Sequence, residues 1–135
     1  MIVVDTNTIA YLYLEGQHSK QAEYVLQRDP IWAAPLLWRS EFRNVLALYL
    51  RKKIIPYRDA VEILEQAETL MRGNEYAVAS TDILELVKHS KCSAYDCEFI
   101  SLSKSLGISL VTEDKKILTE FPNNAVSLHA FCKEN

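Results

Sequence analysis

The chain has 135 residues and a formal net charge of −3, with 49% apolar and 24% charged residues, a balance that suits one globular domain with a sizeable core. Only three glycines and four prolines occur, about half the usual share, which argues for long helices and short loops and against an all-β design. No apolar run approaches the ~18 residues needed to cross a bilayer, and the N-terminus lacks the basic region and small-residue cleavage site of a signal peptide. The expectation is therefore one domain over residues 1–135, in the cytoplasm and free of the membrane.

Ile2-Val3-Val4 is a short β-branched run that ends at Asp5 and reads as a strand buried on both faces, the mark of a parallel sheet. Thr6 or Asn7 can cap a first helix to about Leu14, with Gly16 beyond it. A second helix is expected over Ser19 to Gln27, and a second strand over Ile31 to Ala34. Pro35 suits the first turn of a helix running to about Lys52. That segment is apolar nearly all round, which suggests a central helix or a face covered by a partner. Pro56 opens the next helix, which Gly73-Asn74 ends, and Tyr76-Ala77-Val78 is a candidate strand. Ser80 or Thr81 can cap a helix to about His89, and another runs from about Ala94 to Leu106 before Gly107. Ile108 to Thr112 reads as a strand, Asp114 opens a short helix through about Glu120, and Val126-Ser127-Leu128 is a last strand. Strands thus alternate with helices, which predicts an open parallel sheet with helices on both faces and right-handed crossovers.

In such sheets, sites form outside the C-terminal ends of the strands. Asp5 ends the first predicted strand, and Asp114 lies two residues past Thr112, which ends a later one. At 100° per residue, Leu37, Val45 and Leu48 share the Glu41 side of their helix, whereas Arg39 and Arg43 project to the other. Asp96 is a second acid on an apolar stripe, with Cys92 at i−4 and Phe99 and Ile100 at i+3 and i+4. A carboxylate on an apolar face needs a partner or a metal. Two such acids on helices and two at strand ends can converge at one sheet edge, and together they suit a hard cation, Mg²⁺ or Mn²⁺, rather than zinc. The natural chemistry is phosphodiester hydrolysis. Thr6, Asn7, Ser40 and Thr112 are polar residues placed to orient the acids or the substrate. Cys92, Cys97 and Cys132 form no CxxC and are odd in number, so free thiols are expected.

The segments V-V-D-T-N, R-S-E-F, A-Y-D-C-E-F-I-S-L-S-K-S-L-G and S-L-V-T-E-D-K-K-I, in this order from Ile2 to about Leu118, resemble PIN domains, and most closely the VapC-type toxin ribonucleases of prokaryotic toxin–antitoxin systems. The resemblance implies an α/β/α sandwich around a parallel sheet of four or five strands. It also implies Mg²⁺- or Mn²⁺-dependent endoribonuclease activity, usually in a homodimer, with a protein antitoxin as possible partner. On this pattern the four family acids fall on Asp5, Glu41, Asp96 and Asp114, the small hydroxyl residue before the last acid on Thr112, and the polar position after the first on Asn7.

A negative chain that binds RNA needs a local positive patch. Arg51-Lys52-Lys53 is the best such cluster, and Lys115-Lys116 directly after Asp114 is a second. Two other chemistries compete. A haloacid-dehalogenase-type phosphatase would align its D-x-D-x-T signature with Asp5-Thr6-Asn7-Thr8, but Asn7 stands where the second Asp is required. A binding module could instead hold metal on these acids without catalysis.

Overall fold

The computed structural model describes residues 1–133. The elements run β1 (Ile2–Val4), α1 (Thr6–Tyr13), α2 (Ser19–Arg28), β2 (Trp32–Pro35), α3 (Leu37–Arg51), α4 (Tyr57–Met71), β3 (Glu75–Tyr76), α5 (Ser80–Lys88), α6 (Ala94–Leu106), β4 (Leu110–Val111), α7 (Lys115–Glu120), β5 (Ala125–Val126) and α8 (Leu128–Lys133). The five strands form one parallel sheet in the order β3-β2-β1-β4-β5. The chain therefore builds outward from β1 through β2 to β3, then returns to the other side of β1 for β4 and β5. The strand order reverses between β1 and β4, where open α/β sheets leave a crevice.

β1 is central and fully buried, as its β-branched run implies. α6 packs on β1, β2 and β4 and is covered by α5, while α1, α2, α3, α4 and α8 pack among themselves. The helices therefore sandwich the sheet. α6, not α3, is the most enclosed helix: Cys97, Phe99, Ile100, Ser101, Leu102 and Ser103 are all buried. α3 buries only the stripe Trp38, Phe42 and Leu46, spaced four apart. Leu36 and Leu48 stay half exposed, so its apolar circumference does not make it central. Burial of Trp32, Trp38 and Phe42 contributes roughly 1.5–3 kcal/mol for each large side chain.

Several expectations are corrected in detail. Pro35 is the last residue of β2, opposite Tyr76, rather than the first turn of α3. It lies past the registered β1–β2 pairs, so its missing N–H breaks no ladder bond there, and Leu36 N–H donates to Tyr76 in the next position. Asp5, not Thr6 or Asn7, caps α1 by accepting from Thr8 N–H. Ala79 precedes α5, and neither Ser80 nor Thr81 acts as its cap. β4 keeps only the core of the predicted Ile108–Thr112 strand, and β5 ends at Val126 because Leu128 opens α8. Gly107 ends α6 in the left-handed region at φ 66°, a conformation that favours glycine. Among the described residues no helix is long and apolar enough to cross a membrane, and all three cysteines are free.

Candidate active site

Asp5, Glu41, Asp96 and Asp114 line one cavity of about 250 Å³, together with Thr6, Asn7, Asn44, Val45, Phe99 and Ile117. Each acid arrives on a different element. Asp5 follows β1 and Asp114 follows β4, so the switch in strand order brings them together. Glu41 comes from the second turn of α3 and Asp96 from the first turn of α6.

Asp5 is the buried anchor. Its Oδ1 accepts from Thr8 N–H at 2.9 Å and from Thr8 Oγ1 at 2.7 Å. Its Oδ2 accepts from the Thr112 hydroxyl. The Thr112 oxygen in turn accepts from Asp114 N–H at 3.0 Å. Thr112 therefore ties the ends of β1 and β4 to one another through the carboxylate. Thr6 Oγ1 donates to Glu41 Oε1 at 2.7 Å, which fixes one oxygen of the glutamate and leaves the other without a protein donor among the described residues. Ser93 Oγ caps α6 by accepting from Asp96 N–H at 3.1 Å. Asp114 caps α7, with Oδ1 accepting from Ile117 N–H at 3.0 Å. Capping and a place at the cavity coexist in this residue, because a carboxylate has a second oxygen.

The electrostatics follow from burial with little counter-charge: Lys116 acts on Asp96, and no cation acts on Asp5 or Glu41. Burial pushes the Asp5 carboxyl up, against the hydrogen bonds from Thr112 and Thr8, and the charge of Asp114 adds to the rise. Glu41 is raised first by burial, against the Thr6 hydrogen bond, and further by Asp5, Asp96 and Glu98. Asp96 is raised by burial and by Asp114, opposed by Ser93 and by the charge of Lys116. The acids thus sense one another, and no Lys or Arg lines the cavity. Such a cluster is poised to accept an outside cation.

The donor set fits a hard divalent ion. It offers carboxylate oxygens and side-chain amides, and neither His nor Cys lines the cavity. Among the described residues no three acidic, His or Cys side chains stand close enough to enclose an ion. Mg²⁺ keeps several waters and binds through one or two carboxylates, so it would not need three of these acids at once.

Of the polar residues expected to assist, Thr6 and Asn7 line the cavity and Thr112 bonds Asp5. Ser40 does not: it is exposed and away from the cavity, because one residue along α3 turns it about 100° from Glu41. Two residues were missed. Thr8 holds Asp5 with both of its donors, and its i+3 spacing was the available signal. Asn44 lines the cavity three residues after Glu41, on the same helix face. Arg51 ends α3, roughly 15 Å along the axis from Glu41, and Lys52 and Lys53 follow it in solvent. Lys115 and Lys116 are exposed in the first turn of α7.

Residues 2–122 match the PIN domain family. Ribonuclease VapC3 of Pyrobaculum aerophilum is 26% identical over 124 residues, covering 90% of this chain and 95% of that protein. In fold, the chain is similar to the crystal structure of PAE2754 from Pyrobaculum aerophilum, with a TM-score of 0.77 at 17% identity over 97% of this chain and 92% of the other. It is also similar to a toxin–antitoxin complex from Klebsiella pneumoniae, with a TM-score of 0.68 at 19% identity over 95% and 98%.

Proposed function

The chain belongs to the PIN-domain family, and from that premise we propose that it is a divalent-metal-dependent endoribonuclease acting as the toxin of a toxin–antitoxin pair. The family membership removes the phosphatase reading. The observation that carries the proposal is the convergence of Asp5, Glu41, Asp96 and Asp114 on one cavity that no Lys or Arg lines. The substrate class comes from the ribonuclease relative, and the antitoxin partner from the complex that shares the fold.

Asp5, Glu41, Asp96 and Asp114 are the residues that would hold Mg²⁺ or Mn²⁺, one or two of them at a time. When bound, the ion supplies the positive charge that acidifies water and offsets charge on the phosphate oxygens. The protein contributes position. Thr8 and Thr112 lock the Asp5 carboxylate from both sides, and Thr6 locks Glu41, so little reorganisation is needed at the moment of reaction. Where Glu41 does not itself hold the ion, its free oxygen would accept the proton of the attacking water. Asn7 and Asn44 offer amide donors to the phosphate. Lys115 and Lys116 beside the cavity steer RNA inward, with Arg51, Lys52 and Lys53 as a more distant patch. The protein works in the cytoplasm, where its RNA and its antitoxin are, and as a homodimer.

The test is incubation of the purified protein with a structured RNA pool in Mg²⁺ or Mn²⁺, beside Asp5→Asn and Asp96→Asn. Cleavage that needs metal and is lost in both variants supports the reading. Undiminished cleavage in the variants, or none by any preparation freed of antitoxin, overturns it.

A further inference from the structure

A second cavity, of about 310 Å³, adjoins the acidic one. Asn7 and Val45 line both, so the two are neighbouring chambers of one groove between α1, the α1–α2 turn and α3. The chemistry changes from one to the next. Four acids line the first, whereas Tyr11, His18 and Tyr49 line the second. Asn7 and Tyr11 are four residues apart on α1, so one helix face leads from the acids to the aromatic wall. Burial first, and then the charges of Asp5, Glu113 and Asp114, push the Tyr11 hydroxyl up.

The wall is braced. The Tyr11 and His18 rings lie 4.7 Å apart between centroids with their planes at 40°. His18 Nδ1 stands 3.5 Å from Gln21 Oε1 and 3.9 Å from Glu113 Oε1. No Lys or Arg lines the chamber, and Glu15 does, so it repels phosphate. A nucleobase carries no charge and presents a π-face with polar edges. Single-stranded RNA is recognised by stacking bases on aromatic rings and bonding their edges. Glu15, Gln17 and Asn7 supply edge partners of that kind.

We propose that this chamber is a nucleobase subsite, which takes the base of a nucleotide adjoining the scissile phosphate and stacks it on Tyr11 and His18. The assignment rests on the ribonuclease reading for the identity of its ligand. It makes Tyr11 a substrate-binding residue and confines cleavage to RNA with an unpaired base at that position.

The experiment steps a single abasic position along a cleavable single-stranded RNA octamer. Binding is read by fluorescence anisotropy with the Asp96→Asn protein, and kcat/KM with the wild type. One abasic position next to the cut should weaken binding roughly tenfold, in line with the loss of one stacked base. Tyr11→Leu on the intact RNA should cost the same, the two losses should not add, and Tyr11→Phe should restore binding because it keeps the ring. Equal binding of every abasic octamer, as expected if the chamber serves a protein segment instead, overturns the subsite. Fully additive losses also overturn it. A wild type that cuts no octamer overturns the hydrolytic reading alone, since the anisotropy arm needs no turnover and still decides the subsite.

Discussion

Arg39 and Glu41 lie two residues apart on α3, and their surroundings follow opposite rules. Arg39 Nε donates to Glu75 Oε1 at 2.6 Å, its second fork nitrogen to Glu75 Oε2 at 2.9 Å, and its third to Glu68 Oε2 at 2.8 Å. Trp38 Nε1 also donates to Glu75, at 2.6 Å. Every charge there has a partner of opposite sign, and Arg39 holds the Glu75 carboxyl below its ordinary value. About 200° round the same helix, Glu41 is raised, by burial first and then by the charges of Asp5 and Asp96. The first cluster joins α3, α4 and the edge strand β3. The second joins β1, α3, α6 and the end of β4, and leaves its charges for an ion from outside. Matched charge holds the fold together, and unmatched charge marks the place where the proposed chemistry falls.

Breaking the unmatched cluster should give the largest effect, and it should fall on activity. Asp96→Asn is expected to lower RNA cleavage at least ~100-fold, comparable to removing a preorganised charge-stabilising group. The same change should raise the thermal midpoint of metal-free protein, because one of several repelling carboxylates is gone. Calorimetry in a chelator beside a cleavage assay checks both. A variant that is less stable yet still cuts would make Asp96 a structural acid and dissolve the contrast.

The matched cluster should behave the other way. Arg39→Met leaves Glu75 without its fork and is expected to cost about 2 kcal/mol, less than a fully buried pair because all three side chains are partly exposed. Urea unfolding measures this. Cleavage well below the midpoint should stay within about threefold of wild type, since Arg39 does not line the cavity.

Added ion separates the clusters a third time. An ion at ten times its dissociation constant contributes about 1.4 kcal/mol to stability. Mg²⁺ or Mn²⁺ should therefore raise the midpoint of wild type and of Arg39→Met alike, and should raise Asp96→Asn much less. An equal rise in all three would place the ion away from the four acids.

The two clusters also differ in how far they can be read from the chain. Glu41 and Asp96 declare themselves by helical period, because each lies on an apolar stripe. Asp5 and Asp114 declare themselves by following strands, and the sheet edge gathers all four. Asn44 carries the same periodic signal at i+3 from Glu41. Ser40 is merely adjacent to Glu41, which on a helix means a different face. The Arg39 cluster has no such signal. Glu75 and Glu68 lie 36 and 29 residues away, and only the pairing of β2 with β3 and the return of α4 bring them in. The apolar runs are longer than the strands they form for a related reason. β3, β4 and β5 are two-residue pairings whose ends are set by partners distant in the chain.

The smallest predicted effect is a pH dependence, and its sign differs between the clusters. Glu75 has a folded pKa below its ordinary value of 4.5. Its contribution to stability is therefore present above pH ~4.5 and is lost as pH falls through the lower folded value. Asp5, Glu41 and Asp96 have raised folded values. In metal-free protein their contribution is full below the ordinary carboxylate range and is lost as pH rises through those raised values. Acidification from neutrality should thus first relieve the acidic cavity and only later weaken the Arg39 cluster. The metal-free midpoint of wild type should rise slightly on entering the upper carboxylate range and fall at lower pH. Arg39→Met should keep the rise and lose much of the later fall, whereas Asp96→Asn should keep the fall and show a smaller rise. Unfolding curves in chelator across this range decide the matter: identical profiles for the two variants would mean that neither cluster governs the acid side of stability.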